Sequence, residues 1–295
     1  MPELPDVVVY IEALTARIVG QPLQRINLLS PFVLRSVDPP VDAVRGRIVA
    51  GVRRIGKRIV WELGDDLFLV IHLMIAGRLR WRQPGQKTGI GTKLLLASFE
   101  FPNGTLFFTE ASSKKRASLM LVRGADRLQA LDPGGLEPLD ATRDQFREAL
   151  TRESHTLKRS LTDPHLFSGI GNAYSDEILH AARLSPLKLT RSLSEAEIGR
   201  LYDAVRGTLR LWIDRLRQGA AAGFPEKVTA FRAEMAVHGR YRQPCPVCGA
   251  PVQRIVHAEN QSNYCARCQT GGRLLADRSL SRLLKDDWPR SIDEL

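Results

Sequence analysis

The chain should fold as a multidomain α+β protein, and three features of its sequence say so. Short β-branched and aromatic runs fill the first part, helix-period apolar residues take over from about Thr142, and all four cysteines fall within residues 245–268. Strands grouped first and helices grouped later separate this class from the alternating α/β folds. A length of 295 residues with 43% hydrophobic content suffices for two ordinary domains with real cores. No run approaches 18 apolar residues and no basic-then-apolar leader opens the chain, so a soluble, cytoplasmic protein with no membrane partner is expected.

Taken in order, Val7, Ile11, Leu14 and Ile18 recur at helical spacing, and Gly20 follows as a C-cap, which predicts a first helix with one buried face. Strands are expected at 47–52, 58–63, 67–73, 94–101, 105–109 and 117–122, with Asn103-Gly104 as a hairpin turn and the Gly-rich stretch 85–91 as a loop. Asp132-Pro133-Gly134-Gly135 begins a linker. Helices follow at 142–152, around 158–161 and at 172–184, and Ser194-x-x-Glu197 reads as a capping box opening a face of Ile198, Leu201, Val205, Leu209 and Ile213. Gly219–Gly223 is a small-residue break before the cysteine module, and a tail runs from Gly271 to Leu295.

Chemistry concentrates at three places. The chain starts Met1-Pro2-Glu3-Leu4-Pro5, and an initiator Met before Pro is normally removed. Pro2 would then carry a free secondary amine of pKa roughly 8, able to attack a sugar C1′ or an aldehyde and form an iminium ion. Glu3 beside it can move protons; the plainer reading is a helix start with Pro in the first turn and acids at the positive end of the dipole. Net charge is +11, with Arg53, Arg54, Lys57 and Arg58 clustered and Lys114, Lys115 and Arg116 contiguous, which makes a nucleic-acid backbone the leading partner. Cys245-x2-Cys248-x16-Cys265-x2-Cys268 has the spacing of a tetrahedral Zn²⁺ site that is structural, since four thiolates leave no open coordination position. Two disulfides are the rival pairing, which a cytosolic chain would keep reduced. Between the second and third helices, Gly169-Ile170-Gly171-Asn172 could present helix-end amides to a phosphate or simply turn a corner.

Four motifs stand in order: Pro2-Glu3-Leu4-Pro5-Asp6, Arg54-Ile55-Gly56-Lys57, Gly169-Ile170-Gly171-Asn172-Ala173-Tyr174, and His238-Gly239-Arg240 leading into a module that ends Cys265-Ala266-Arg267-Cys268-Gln269. Over residues 1 to about 270 the sequence resembles the formamidopyrimidine-DNA glycosylase and endonuclease VIII family. The resemblance implies an N-terminal β-sandwich with a catalytic helix, a helix–two-turn–helix domain and a zinc finger, with DNA in the cleft between them. Expected boundaries are 1–130, a linker at 131–141, then 142–237, 238–270 and a tail at 271–295. By position, Pro2 resembles the Schiff-base nucleophile, Glu3 the acid/base, and Lys57 the lysine that fixes the substrate; for Lys57 a solvated charge beside a strand is the alternative. His72, Lys158 and Asn172 match phosphate-facing positions, although His72 could equally be a core histidine. The implied protein is a monomeric bifunctional glycosylase and abasic-site lyase of base excision repair, acting on damaged DNA, with one structural zinc.

The sequence also departs from the family pattern. Where 8-oxoguanine enzymes carry an Arg-Phe pair that fills the gap of the flipped base, this chain reads Glu110-Ala111-Ser112-Ser113-Lys114-Lys115-Arg116-Ala117. Ile75 stands where the family inserts a methionine, and Asn260 stands where the finger carries a phosphate-binding arginine. The segment between Arg217 and His238 is short for the loop that caps 8-oxoguanine. These departures place the chain nearer endonuclease VIII, or on a divergent branch, and give a rival of another class, a DNA-damage binding protein with little turnover. A zinc-ribbon transcription or replication factor would explain the cysteines but not the N-terminus.

Overall fold

The computed structural model describes residues 1–221, 223–226, 228–229, 232–257, 260–276, 283 and 289–294. The chain forms two compact units, Met1–Pro133 with Trp212–Thr229, and Gly134–Leu211 with Ala230–Leu295.

In the first unit, α1 (Leu4–Ile18) buries Val7, Tyr10, Leu14 and Ile18, and Gly20 follows the C-cap Val19 with φ +79. The strands are β1 (Pro22–Leu23), β2 (Arg25–Leu28), β3 (Arg47–Ile48), β4 (Gly51–Ile55), β5 (Arg58–Glu62), β6 (Leu67–His72), β7 (Gly77–Arg82), β8 (Leu95–Phe101), β9 (Gly104–Glu110) and β10 (Ser118–Arg123), before the short α2 (Ala125–Gln129). Two antiparallel four-stranded sheets, in the orders β10-β6-β5-β4 and β2-β8-β9-β7, make the sandwich. Their inner faces meet through Trp61 of β5 and Phe99 of β8, edge to face with ring centroids 5.0 Å apart.

Three local expectations need correcting. The single strand expected at 47–52 is two: Arg47–Ile48 pairs with β1 and Gly51–Ile55 with β5. The handover shows in the hydrogen bonds, Val49 N–H to the Gln21 carbonyl and Ala50 N–H to the Glu62 carbonyl. In the β8–β9 hairpin the turn residues are Pro102 and Asn103, because Gly104 already pairs with Phe101. A Cβ on Gly104 would lie 2.4 Å from the Trp81 ring, so the glycine serves packing under β7. Finally, β7 was not expected, since Arg78, Arg80 and Arg82 alternate with Leu79 and Trp81 and hide a strand in a charged run.

In the second unit the helices are α3 (Arg143–Thr151), α4 (Leu157–Thr162), α5 (Asn172–Ala181) and α6 (Glu195–Ala220), whose last turns belong to the first unit. Thr142 caps α3 by accepting from Gln145 N–H at 3.3 Å, and Ser194 and Glu197 cap α6 reciprocally. The predicted face of α6 is buried throughout. The finger consists of β11 (Gln253–His257), β12 (Asn260–Tyr264) and α7 (Ala266–Thr270). In the tail, Leu280, Leu284 and Trp288 lie outside the described residues. Further on, Ile292 packs with Ile255, Tyr264 and Ala266 of the finger and with Leu274 of the tail. Among the described residues no helix is long and apolar enough to cross a membrane.

Candidate active site

The first unit brings together the N-terminus and Lys57. Residues Pro2 to Val7 are all buried, with Glu3 at 2% and Asp6 at 1% exposure, which is unusual for carboxylates at a helix start. Glu3 and Asp6 form a capping box in which Asp6 Oδ2 accepts from Glu3 N–H at 3.0 Å, so the same residues that open α1 are fixed in place. Lys57 sits in the two-residue turn between β4 and β5, where Ile55 pairs with Arg58. Gly56 takes φ +57 while Lys57 keeps an ordinary φ, the pattern of a type II′ turn.

Electrostatics make this cluster chemically distinctive. Burial pushes the Met1 amine below its usual pKa; Arg78 and Lys57 act in the same direction, and Glu3 and Asp6 oppose them. Burial likewise lowers the Lys57 ammonium, with Glu3 working against it. His72, at the end of β6 between Arg58 and Ser118, is lowered to about 4 by burial and by the Arg58 and Lys57 charges, so its imidazole is neutral at physiological pH. Arg78 was missed from sequence. Its signal was the alternation of β7, which turns Arg78 away from the face that buries Leu79.

Two loops of this unit bear on how a nucleic acid would be handled. Ile75 is 56% exposed at the tip of the β6–β7 turn. That turn is rigid: Gly77 N–H donates to the Leu73 carbonyl at 2.8 Å, Met74 takes φ +51, and Arg78 Nη1 donates to the Ile75 carbonyl at 3.2 Å. A Cβ at position 77 would fall 2.2 Å from the Leu73 oxygen, so only glycine closes it. The loop after β9 is instead tied back, with Lys115 Nζ donating to the Glu110 carbonyl at 2.5 Å and the Glu110 carboxylate accepting from Arg116 and Ala117 N–H.

In the second unit Asn172 opens α5 after a glycine N-cap. Lys158, only 9% exposed, donates to the Asn172 carbonyl at 2.7 Å and to Asp176 Oδ1 at 2.5 Å. Asp176 also accepts from Asn263 Nδ2 at 3.0 Å and lies 2.8 Å from His238 Nδ1. Burial works to raise the Asp176 pKa, but the Lys158 charge and these hydrogen bonds hold it below the usual carboxylate range. Glu177 next to it accepts from the N–H groups of Ala236, Val237 and His238. Lys158 is thus placed beneath the start of α5 and spent on internal partners.

The four cysteines form the metal centre. All four Sγ atoms lie within 4.8 Å of one another, with Cys245–Cys268 at 3.9 Å and Cys248–Cys265 at 3.4 Å, and none is in a disulfide. Tetrahedral coordination at Zn–S distances of about 2.3 Å requires sulfur separations of about 3.8 Å, so the set fits. His180 of α5 reaches the cluster, its Nε2 3.3 Å from Cys245 Sγ. With a metal held by the four cysteines, the Cys245 thiolate would carry no proton and the His180 imidazole would be the donor in that contact. Asn260 opens β12 opposite His257; its side chain lies outside what the structure describes.

A sandwich that buries the start of its first helix, a capped helical domain and a four-thiolate finger make up one architecture, and comparison identifies the class of protein that carries it. Residues 1–114 match the formamidopyrimidine-DNA glycosylase N-terminal domain, 135–221 the H2TH domain of the same enzymes, and 242–271 the zinc finger found in FPG and IleRS. The formamidopyrimidine-DNA glycosylase of Heliobacterium modesticaldum is 32% identical over 280 residues, covering 91% of this chain and 100% of its own. An uncharacterized formamidopyrimidine-DNA glycosylase-like protein of Mycobacterium tuberculosis is 41% identical over 163 residues, covering 55% of this chain and 99% of its own. The crystal structure of the Lactococcus lactis enzyme bound non-covalently to DNA containing an AP site superposes with a TM-score of 0.78 at 28% identity, covering 91% of this chain and 99% of that one. The chain belongs to the formamidopyrimidine-DNA glycosylase family.

Proposed function

We propose that this protein is a bifunctional DNA glycosylase and abasic-site lyase of base excision repair, with Pro2 as nucleophile. The observation that carries the reading is the buried N-terminus, where an amine lowered by burial faces Glu3 and Lys57. Removal of Met1 would convert the Pro2 nitrogen from an amide to a secondary amine, and the burial of Pro2 favours its neutral, nucleophilic form. That nitrogen attacks C1′, the glycosidic bond breaks, and the base leaves with the bonding electrons and takes up a proton. The nitrogen gives up its proton, and the sugar ring then opens at the C1′–O4′ bond, O4′ taking up a proton as the nitrogen lone pair forms the iminium ion. The iminium acidifies the C2′ hydrogen, and its removal with cleavage of the C3′–O bond, the 3′ phosphate leaving, is β-elimination. Glu3 is placed to carry protons in these steps, and Lys57 to hold the phosphate beside the reacting sugar. Neutral His72 donates a hydrogen bond without adding charge, and the start of α5 at Asn172 receives a second phosphate. Zinc is the metal proposed for the four thiolates, where it would stabilise the finger and take no part in the chemistry. The working form is proposed to be a monomer.

Lesion choice follows from the departures. The exposed Ile75 on its rigid turn is the side chain available to fill the gap of an extruded base, while the loop at 110–117 is tied to itself. A wedge of one aliphatic side chain makes extrusion from a fully paired duplex harder, so unpaired or unstacked substrates gain. We expect abasic sites, thymine glycol or 5-hydroxyuracil to be processed faster than 8-oxoguanine opposite cytosine in single-turnover assays; the reverse order would refute this reading of the departures. The chemistry is tested by borohydride trapping on an abasic oligonucleotide with wild type and Pro2→Gly. Loss of the adduct in the variant supports Pro2; equal trapping moves the nucleophile to a lysine such as Lys57. Tight binding with no adduct from wild type would favour a damage-binding protein.

A further inference from the structure

The finger carries an arrangement that the proposed chemistry does not use. Arg242 and Arg254 both stack on the ring of Tyr241, with their Cζ atoms 5.2 and 4.4 Å from its centroid. All three residues are exposed. The two arginines come from different parts of the module, Arg242 from the segment before the first knuckle and Arg254 from β11, and the Arg242 N–H bond to the Val252 carbonyl holds those segments together. Neither guanidinium has a carboxylate partner among the described residues, in contrast to Arg267, which pairs with Asp293 at 2.9 Å on the same finger. Arg240 differs again, donating inward to the Ala233 and Met235 carbonyls.

Two features of this cluster work against stability. Like charges gathered on one ring repel, and stacking on a ring gains little at an exposed site. Arg242 also sits at φ +66, a left-handed conformation that an arginine adopts at a cost. A polyanionic backbone laid along this face would offset the repulsion and accept from the planar guanidinium forks, and Tyr241 restricts both side chains so that little rotamer entropy is lost on binding.

We propose that Arg242, Tyr241 and Arg254 form a phosphate clamp on the finger that grips the DNA backbone. It supplies positive charge to a module in which Asn260 stands at the expected arginine position. The proposal rests on the DNA-binding reading above.

The test uses the full-length protein and a duplex bearing a tetrahydrofuran abasic analogue, with Kd measured by fluorescence anisotropy between 50 and 200 mM salt. Arg242→Ala and Arg254→Ala should each weaken binding and make the slope of log Kd against log salt shallower by about 0.9, the loss of one phosphate contact. Arg267→Ala removes the same charge from the same finger and should leave the slope near that of wild type. Arg242→Gly separates binding from folding, because glycine suits φ +66. It should weaken binding like Arg242→Ala while leaving the melting temperature unchanged or higher. If wild type binds and the two clamp variants match it in Kd and slope, or if Arg267→Ala lowers the slope equally, the clamp is wrong while the DNA reading stands. A marked fall in melting temperature for Arg242→Gly would give Arg242 a folding role instead. Failure of wild type itself to bind would overturn the DNA reading and the clamp with it.

Discussion

In the first unit, burial drives three basic groups toward their neutral forms: the terminal amine, Lys57 and His72 are all lowered, with Glu3 only partly offsetting the effect on the first two and the Arg58 and Lys57 charges adding to it on His72. In the second unit, burial meets full compensation. Asp176 is equally inaccessible, yet Lys158, His238 and Asn263 keep it ionised. The difference separates reactivity from anchorage. An amine whose burial outweighs its acidic neighbours is held toward its neutral form, whereas a saturated carboxylate joins α5, the 236–238 segment and the finger into one assembly. Lys158 therefore reads better as a positioning group for the start of α5 than as a side chain reaching for phosphate.

Anchorage should fail first where the metal is lost. Metal analysis of freshly purified, reduced protein should give one zinc per chain. Removing zinc, or Cys248→Ser, should unfold the finger, since structural zinc contributes on the order of 10 kcal/mol in small modules. The sandwich should persist, reported by fluorescence of the buried Trp61. Protein that arrives folded and metal-free would break this side of the comparison. In addition, His180→Ala should speed zinc release to a chelator, because the Cys245 thiolate loses its hydrogen bond.

Next in size is Asp176→Ala. It leaves the Lys158 charge buried without its carboxylate and should cost roughly 3–5 kcal/mol in urea unfolding. A loss below 1 kcal/mol would mean that the network is not the anchor described here.

The contrast can be sharpened by pH. Well above pH 6.5 the His72 imidazole is neutral in folded and unfolded chains alike and contributes nothing. As pH falls from 6.5 toward 4 the unfolded chain binds the proton first, so unfolding gains up to about 3 kcal/mol before any discount for partial exposure. Asp176, whose folded pKa is lowered, also loses its stabilisation as pH falls. His72→Gln should remove only the first effect, narrowing the stability difference between pH 7.5 and 4.5. An unchanged difference would show that His72 is not held neutral by its surroundings.

The smallest effect belongs to the tail. Ile292→Ala should lower finger stability by about 2 kcal/mol, the scale of truncating a buried aliphatic. Trapping of abasic DNA should be unaffected, and loss of trapping in a folded variant would give the tail a part in building the site.

Legibility in the sequence followed the range of the interactions. Capping residues such as Thr142, Ser194 and Glu197 act over three positions, and the helix starts they mark are where the sequence puts them. The cysteine spacing likewise encodes a local geometry that the Sγ cluster satisfies. What escaped was set by tertiary partners. The run 47–52 divides because its halves pair with different strands, and β7 hides because its exposed face is arginine. Within the candidate site, Pro2, Glu3 and Lys57 stood out by type and motif. Arg78, Asp176, Asn263 and His180 did not, because their significance lies in what they touch across long sequence separations.

The central claim is that the buried N-terminal amine does the chemistry, and peptide mapping of the trapped complex tests it most directly. Wild type is incubated with an abasic oligonucleotide, reduced with borohydride, digested, and analysed by mass spectrometry for the residue that carries the sugar remnant. We predict an N-terminal peptide that lacks Met1 and bears the adduct on Pro2. An adduct on Lys57, or an intact Met1 in a protein that still forms the complex, would contradict the account.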